Sequence, residues 1–383
     1  MTVYDDLGVP TIINAVGYAT RVAGSCPHEE VIAAMADASR SYVEIDALEV
    51  AASELITKCT GAEAGLITCG ASASLALAAA ACLCGNDPDR MDALPDTSDF
   101  SRNEIVFPKP GPFDYDHPFR ASGAKLVTID YADDDAPDQI AAAVNAHTAA
   151  IAYVWLGIDE RPSIEWLVRL SQEHGLPLIV DGAMSLPPRE NLHRFIDLGA
   201  DLVAISGGKH LGGPQASGIL AGREELIRSA WLQMVDMDVR PETWSLKRFV
   251  DDGWVDRAPG HGIGRSMKVS KEQIVGLMTA LQRYSERDHD AELRTWHSYI
   301  DTVMDGLQEV EVLQPRKLFP SPNGQPWPLL ELHADGALRR RLRERNLILA
   351  ESDTDPEIAF VNPICLRKDD PAKIVKLLRE EVD

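Results

Sequence analysis

The sequence predicts an α/β protein: a mainly parallel sheet covered on both faces, with a smaller α+β domain beside it. Three observations predict this. Short apolar runs alternate with stretches of helical period over roughly residues 60–265. Most of these runs are apolar at consecutive positions, as in strands buried on both faces. After a polar, Pro-rich stretch, PRKLFPSPNGQPWP, the chain changes to a shorter mixture of strands and helices.

The elements follow in order. PHEEVIAAMADASRSY opens with Pro27 and early acids, then places apolar residues at helical spacing. DALEVAASELITKCT reads as a second helix. AGLIT, NEIVF, KLVTID, AAIAYVW, LPLIVD and DLVAIS read as buried strands, with helical patterns such as PDQIAAAVNAH and SIEWLVRLSQEHG between them. SGILAGREELIRSAWLQM adds a strand and a helix. From about Lys271 one long helix is expected through KEQIVGLMTALQRYSERDHDAELRTWHSYIDTVMDGL. PLLELHA, ALRRRLRERN, LILAES, IAFVNP and PAKIVKLLREEV then supply the α+β unit.

Charge narrows the function. Of 383 residues, 37 are Lys or Arg and 60 are Asp or Glu, a formal net charge of −23. Such a chain lacks the basic footprint that nucleic acid requires, and an anionic membrane surface repels it. No apolar run is long enough to span a bilayer, and the acidic start MTVYDDLGVP is unlike a signal peptide, so a cytoplasmic protein is expected. The six cysteines (26, 59, 69, 82, 84, 365) form no C-x-x-C pair, and no histidines have H-E-x-x-H spacing. No metal is expected, and Cys82 and Cys84 read as small buried residues on a helix.

The chemistry concentrates in LPLIVDGAMSLPP and DLVAISGGKHLGGPQASGILAG. Asp181 ends one apolar strand and Lys209 follows another within a glycine loop, so both fall at the carboxyl ends of strands, where open α/β sheets collect ligands. Pyridoxal phosphate needs such a pair: a lysine for the Schiff base and an acid that keeps the pyridine nitrogen protonated. The neighbouring glycines would let the backbone approach the cofactor, and Ser206 adds a hydroxyl. In ITCGASASLALAAAA a strand ends at Thr68, Gly70 turns the chain and a helix starts, with hydroxyls from Ser72 and Ser74. This suits a phosphate, although the same residues also make an ordinary cap. Arg265, Lys268 and Lys271 gather in GRSMKVSKEQIVGL, for anion capture or as solvated surface charge. Tyr115, Asp116, His117 and Arg120 precede a strand. His117 is a candidate to stack on the cofactor ring or move protons; a structural loop histidine is the alternative.

These stretches, with INAVGYATRVAGS, GAEAGLITCGASASLALAAAACL, DALPDT and YDHPFRASGA, resemble the selenocysteine-synthase-like group of fold-type-I pyridoxal-phosphate enzymes. Within that group the sequence is most similar to the D-glucosaminate-6-phosphate ammonia-lyase family. The resemblance runs from about residue 10 to residue 280. It implies a seven-stranded-type sheet in an aspartate-aminotransferase-like large domain at 51–275, a small α+β domain at 276–383, and a helical segment, 1–50, joining the small domain. It implies Lys209 as the Schiff-base lysine and Asp181 as the pyridinium partner. Gly70, Ala71 and Ser72 would form the phosphate turn, with Ser206 alongside. His117 would be at the site, and Arg265 an anion ligand with reach toward a neighbouring subunit. A homodimer or higher homo-oligomer is implied. Tyr115, Arg120 and Lys268 are substrate-side candidates. Arg21 stands where a neutral residue is expected and would meet a further carboxylate or phosphate, or be plain surface. The selenium transferases act on a charged tRNA and carry an extra N-terminal domain. This chain lacks that extension and is acidic, so the tRNA role is set aside.

The reaction expected is α,β-elimination from a β-hydroxy amino acid or an amino sugar acid such as D-glucosaminate or its 6-phosphate, giving a 2-keto acid and ammonia. Fold and cofactor do not decide the reaction. Racemisation or epimerisation, aldol-type cleavage and a non-catalytic paralogue remain alternatives.

Overall fold

In the computed structural model of the chain, residues 2–109, 111, 115–157, 162–322 and 324–382 are described. Twelve strands run through them: β1 (Ile13–Ala15), β2 (Ala64–Thr68), β3 (Glu104–Lys109), β4 (Lys125–Asp130), β5 (Thr148–Val154), β6 (Leu178–Asp181), β7 (Leu202–Ser206), β8 (Gly218–Gly222), β9 (Arg316–Leu318), β10 (Leu329–His333), β11 (Leu347–Glu351) and β12 (Ile358–Val361). The chain divides into two compact units, one of residues 27–286 and one joining 1–26 to 287–383.

The larger unit holds a seven-stranded sheet in the order β2-β8-β7-β6-β5-β3-β4. Its pairings are parallel except those of β8, which runs antiparallel to both neighbours. Side chains alternate across the pleat, so consecutive apolar residues feed two cores. Ile67, Val106, Ile151, Val180 and Val203 enter one core, with the helices Ile45–Thr60, Ile164–His174, Asn191–Leu198 and Lys271–Glu286. Leu66, Ile105, Ala150, Ile179 and Leu202 enter the other, with the helices Ala71–Cys84 and Glu224–Leu232. The apolar runs of the sequence are strands of this sheet; the central ones lack polar positions because neither face meets water, whereas the edge strand β4 exposes Lys125 and Thr128. Cys84 is buried at the end of the helix Ala71–Cys84, and burial pushes its thiol up to about 12.

The smaller unit holds a five-stranded sheet, β1-β11-β12-β10-β9, in which β1 pairs in parallel with β11 (Ile13 opposite Leu347). The helices His289–Leu307, Gly336–Glu344 and Asp370–Val382 cover it through Ile300, Leu342, Ile374 and Leu378. The N-terminal strand thus joins the C-terminal part of the chain, whereas the helices Glu29–Ala38 and Ile45–Thr60 belong to the larger unit. The single long helix expected from Lys271 is two helices, ending at Glu286 and restarting at His289. Asp288 makes the break: its carboxylate accepts the Ala291 N–H at 2.9 Å, capping the second helix.

Candidate active site

Asp181 is the last residue of β6 and lies beside Ala204 on β7. Ser206, two residues further along β7, pairs with Gly218 on β8, and Gly218 pairs in turn with Thr68 at the end of β2. The row Thr68–Gly218–Ser206 therefore carries the turn at Gly70, the end of β7 and the loop of Lys209 to one edge of the sheet. A Cβ on Gly218 would lie 2.5 Å from the Gly70 carbonyl carbon, so this close approach needs a glycine.

Burial sets the electrostatics of the pair. Asp181 is buried, with Oδ1 accepting the Ala183 N–H at 3.0 Å. Burial pushes its carboxyl up; the Ala183 hydrogen bond and then the Lys209 charge oppose the shift. Burial also pushes the Lys209 amine down, against the Asp181 charge. The charged form of Asp181 is held first by the Ala183 hydrogen bond and then by Lys209, and that of Lys209 by Asp181. A lysine brought nearer to neutrality can act as nucleophile and base.

The turn after β2 opens a helix whose first N–H groups are left uncapped by side chains. Gly70 precedes the helix Ala71–Cys84 at φ +144°, and no side chain caps the helix. Its first N–H groups, at Ala71 and Ser72, are those that an α-helix leaves without internal partners. Ser72 is exposed, whereas Ser74 is fully buried and shares a 2.8 Å hydrogen bond with Thr68. Ser74 thus braces the turn from beneath and does not offer its hydroxyl outward. Thr68 Oγ1 also donates to the Gly70 carbonyl at 2.9 Å and accepts the Gly70 N–H at 3.3 Å.

The lysine loop corrects another expectation. A Cβ at Gly207 would lie 2.2 Å from Ser217 Oγ, and one at Gly208 2.4 Å from Gln215 Cα. These glycines let the loop fold onto itself, with Gly207 N–H donating to Ser217 at 2.9 Å, rather than opening space for a cofactor.

The remaining candidates divide. Tyr115 and His117 follow β3 and are exposed, His117 as the first residue of the short helix His117–Ala121. Arg120 is bound to the buried Asp116 at 2.8 Å, so its guanidinium is already engaged. Arg265 and Lys268 line a cavity of about 540 Å³ to which none of Gly70, Asp181, Ser206 or Lys209 contributes. Arg265 pairs there with Asp236 at 3.1 Å. Arg21 is exposed on a short turn of the smaller unit.

Two residues of the larger unit were not singled out from the sequence. Thr68 had a signal, since a threonine two residues before a turn glycine favours such side-chain-to-backbone bonds. Glu49 had one as well, because it falls on the apolar stripe Ile45, Ala52, Ile56, Cys59 of its helix. It is fully buried, and Oε2 accepts the Ile67 N–H at 3.0 Å.

A half-buried lysine just past one strand end and a buried aspartate at the next, with a helix N-terminus on the same edge, are the kinds of group that pyridoxal phosphate requires: an amine, a carboxyl and free backbone N–H groups. The fold and site define a fold-type-I pyridoxal-phosphate enzyme. Residues 12–238 match the family described as SelA, L-seryl-tRNA selenium transferase, and the chain belongs to that family. It is 33% identical over 297 residues to the D-glucosaminate-6-phosphate ammonia lyase of Salmonella typhimurium, covering 74% of this chain and 70% of that one. It is 32% identical over 291 residues to the 5'-C-glycyluridine monooxygenase-decarboxylase of a Streptomyces species, covering 74% of this chain and 65% of that relative. A solved D-glucosaminate-6-phosphate ammonia-lyase structure superimposes with a TM-score of 0.78 at 26% identity, covering 100% of this chain and 98% of that one. The cofactor is pyridoxal phosphate. Among the described residues no helix is long and apolar enough to cross a membrane.

Proposed function

We propose that this chain is an ammonia-lyase that removes water from a β-hydroxy amino acid or amino sugar acid, such as D-glucosaminate or its 6-phosphate, yielding a 2-keto acid and ammonia. The observation that carries the reading is the pair of buried Asp181 and half-buried Lys209 beside adjacent strand ends, in a chain whose relatives include the ammonia lyase. Pyridoxal phosphate, when bound, supplies the sink for the electron pair left at the substrate's Cα. Asp181 would hold the proton of the ring nitrogen. The N–H groups of Ala71 and Ser72, with the Ser206 hydroxyl, would hold the phosphate. Lys209 Nζ, its proton affinity lowered by burial, would take the proton from Cα. His117 or Tyr115 would protonate the leaving β-hydroxyl, which departs as water. The released enamine then tautomerises and takes up water, so that oxygen enters at Cα and ammonia leaves. The reactant and the products differ by no net oxidation.

A homodimer completes the proposal, with Arg265 reaching an anion in the neighbouring site. The net charge of −23 argues against a tRNA substrate. The equally similar Streptomyces relative favours a second reading, decarboxylation with oxygen as co-reactant. The test is a panel of D-glucosaminate, its 6-phosphate, serine, threonine and hydroxyaspartate, read by mass spectrometry in heavy water with and without oxygen. A 2-keto acid with one deuterium at Cβ is expected. Deuterium at Cα without keto acid means racemisation, and oxygen-dependent loss of carbon dioxide means the second reading; either displaces the lyase.

A further inference from the structure

The smaller unit carries a pair of thiols that the pyridoxal-phosphate chemistry does not use. Among the described residues Cys26 is the one exposed cysteine, and Cys365 is half-buried. They stand near opposite ends of the chain, yet both belong to this unit. Cys26 ends the segment that follows β1, and Cys365 ends the short turn Pro363–Cys365 after β12. Two contacts hold these stretches together. The Cys365 thiol donates to the Gly24 carbonyl oxygen at 3.8 Å. Two residues further along each stretch, Arg367 Nη2 donates to Cys26 Sγ at 3.6 Å.

The surroundings give the two sulfurs different roles. Cys26 is open to solvent with a guanidinium against it, the accessible, electropositive setting in which thiols react. Cys365 is screened: burial pushes its thiol up to about 12, and the Cys26 charge acts in the same direction. Such an influence marks the sulfurs as neighbours, and it ends when Cys26 becomes a neutral sulfenic acid. An exposed thiol beside a second one that can resolve it is the arrangement of a reversible oxidation site. The other four cysteines lie in the larger unit.

We propose that Cys26 and Cys365 form a reversible disulfide, with hydrogen peroxide as the oxidant, Cys26 as the attacking thiol and Cys365 as the resolving one. The Cys26 sulfur, as thiolate, attacks one peroxide oxygen. The O–O bond breaks, the sulfur keeps one oxygen as sulfenic acid, and the other leaves as hydroxide and takes a proton to become water. The Cys365 sulfur then attacks the sulfenic sulfur. The S–O bond breaks, the S–S bond forms, and the hydroxyl departs with the Cys365 proton as a second water. Two thiols lose two electrons and one peroxide gains them. Arg367 is a positioning residue that holds the attacking sulfur.

The test exposes the reduced, cofactor-loaded full chain to equimolar hydrogen peroxide, blocks the remaining thiols by alkylation and maps the product by mass spectrometry. A loss of two hydrogens and a peptide pair joining residues 26 and 365 are expected, both reversed by dithiothreitol. The bond closes most of the chain into one loop, so the oxidised chain should run faster on a non-reducing denaturing gel. Cys26→Ser should abolish the bond. In Cys365→Ser, Cys26 should remain a sulfenic acid that dimedone traps. Arg367→Gln is expected to slow oxidation of Cys26 several-fold, and Arg367→Lys to restore most of the rate. Failure of Cys26 to oxidise overturns the proposal. So does a bond from Cys26 to any other cysteine or to a second chain, oxidation of the other cysteines ahead of Cys26, or a rate indifferent to Arg367→Gln.

Discussion

Glu49→Gln isolates the energetic effect of a buried carboxyl. Burial is the main cause that raises the Glu49 carboxyl from 4.5 to about 8, with the Asp46 charge adding to it and the Ile67 hydrogen bond opposing it. The native state therefore binds this proton more tightly than the unfolded chain does. The resulting stability is full below about 4.5, declines as pH rises, and is gone once pH passes about 8. At about 1.4 kcal/mol per pH unit, the whole decline is roughly 4–5 kcal/mol. Glutamine keeps the shape and an acceptor for the Ile67 N–H but cannot ionise. Urea unfolding of both proteins from pH 5 to pH 9 reads the effect as the difference between them, which cancels the other titrating groups. The variant should be close to wild type at pH 5 and more stable by a few kcal/mol at pH 9. A difference that stays constant with pH refutes the reasoning.

Other outcomes follow from the same geometry. Lys209→Ala should remove the visible absorbance of the lysine-bound cofactor and lower turnover on the order of 10³-fold, read by spectrophotometry and keto-acid assay. Gly218→Ala places a methyl 2.5 Å from the Gly70 carbonyl carbon; it should cost about 1–3 kcal/mol by denaturation and weaken cofactor affinity. Thr68→Ala leaves buried Ser74 without its partner, which should cost about 1–3 kcal/mol and raise the cofactor dissociation constant, with Thr68→Ser restoring both.

The large sheet was legible because burial on both faces writes itself as unbroken apolar runs, and NEIVF and LPLIVD could be nothing else at their lengths. The break at Asp288 was not, because helical period continues through RYSERDHDAELRTW and only the cap geometry interrupts it. The pairing of β1 with β11 was hidden for a different reason. INA is too short to carry a period, and its partner lies more than three hundred residues away. Lys209 and Asp181 were legible because a charged residue ending an apolar run is conspicuous. The purpose of Gly207 and Gly208 was misread, since a glycine in a sequence does not say whether a ligand or the chain itself comes close.

The basic residues carry the same lesson about charge. In a chain of net charge −23, the basic residues of the site motifs were candidates for binding anions. The fold distributes them: Arg120 goes to Asp116, Arg265 to Asp236, and Lys268 to the rim of another cavity. What would face an anion at the Gly70 turn is backbone N–H and the positive end of the helix Ala71–Cys84. Such a cradle does not depend on a flexible side chain, and its strength is set by how rigidly the turn is held. Thr68 and Ser74 hold it from below, and Gly218 allows β8 to pass beside it. Cofactor affinity should therefore respond to these three small residues, none of which carries a charge, as much as to any arginine.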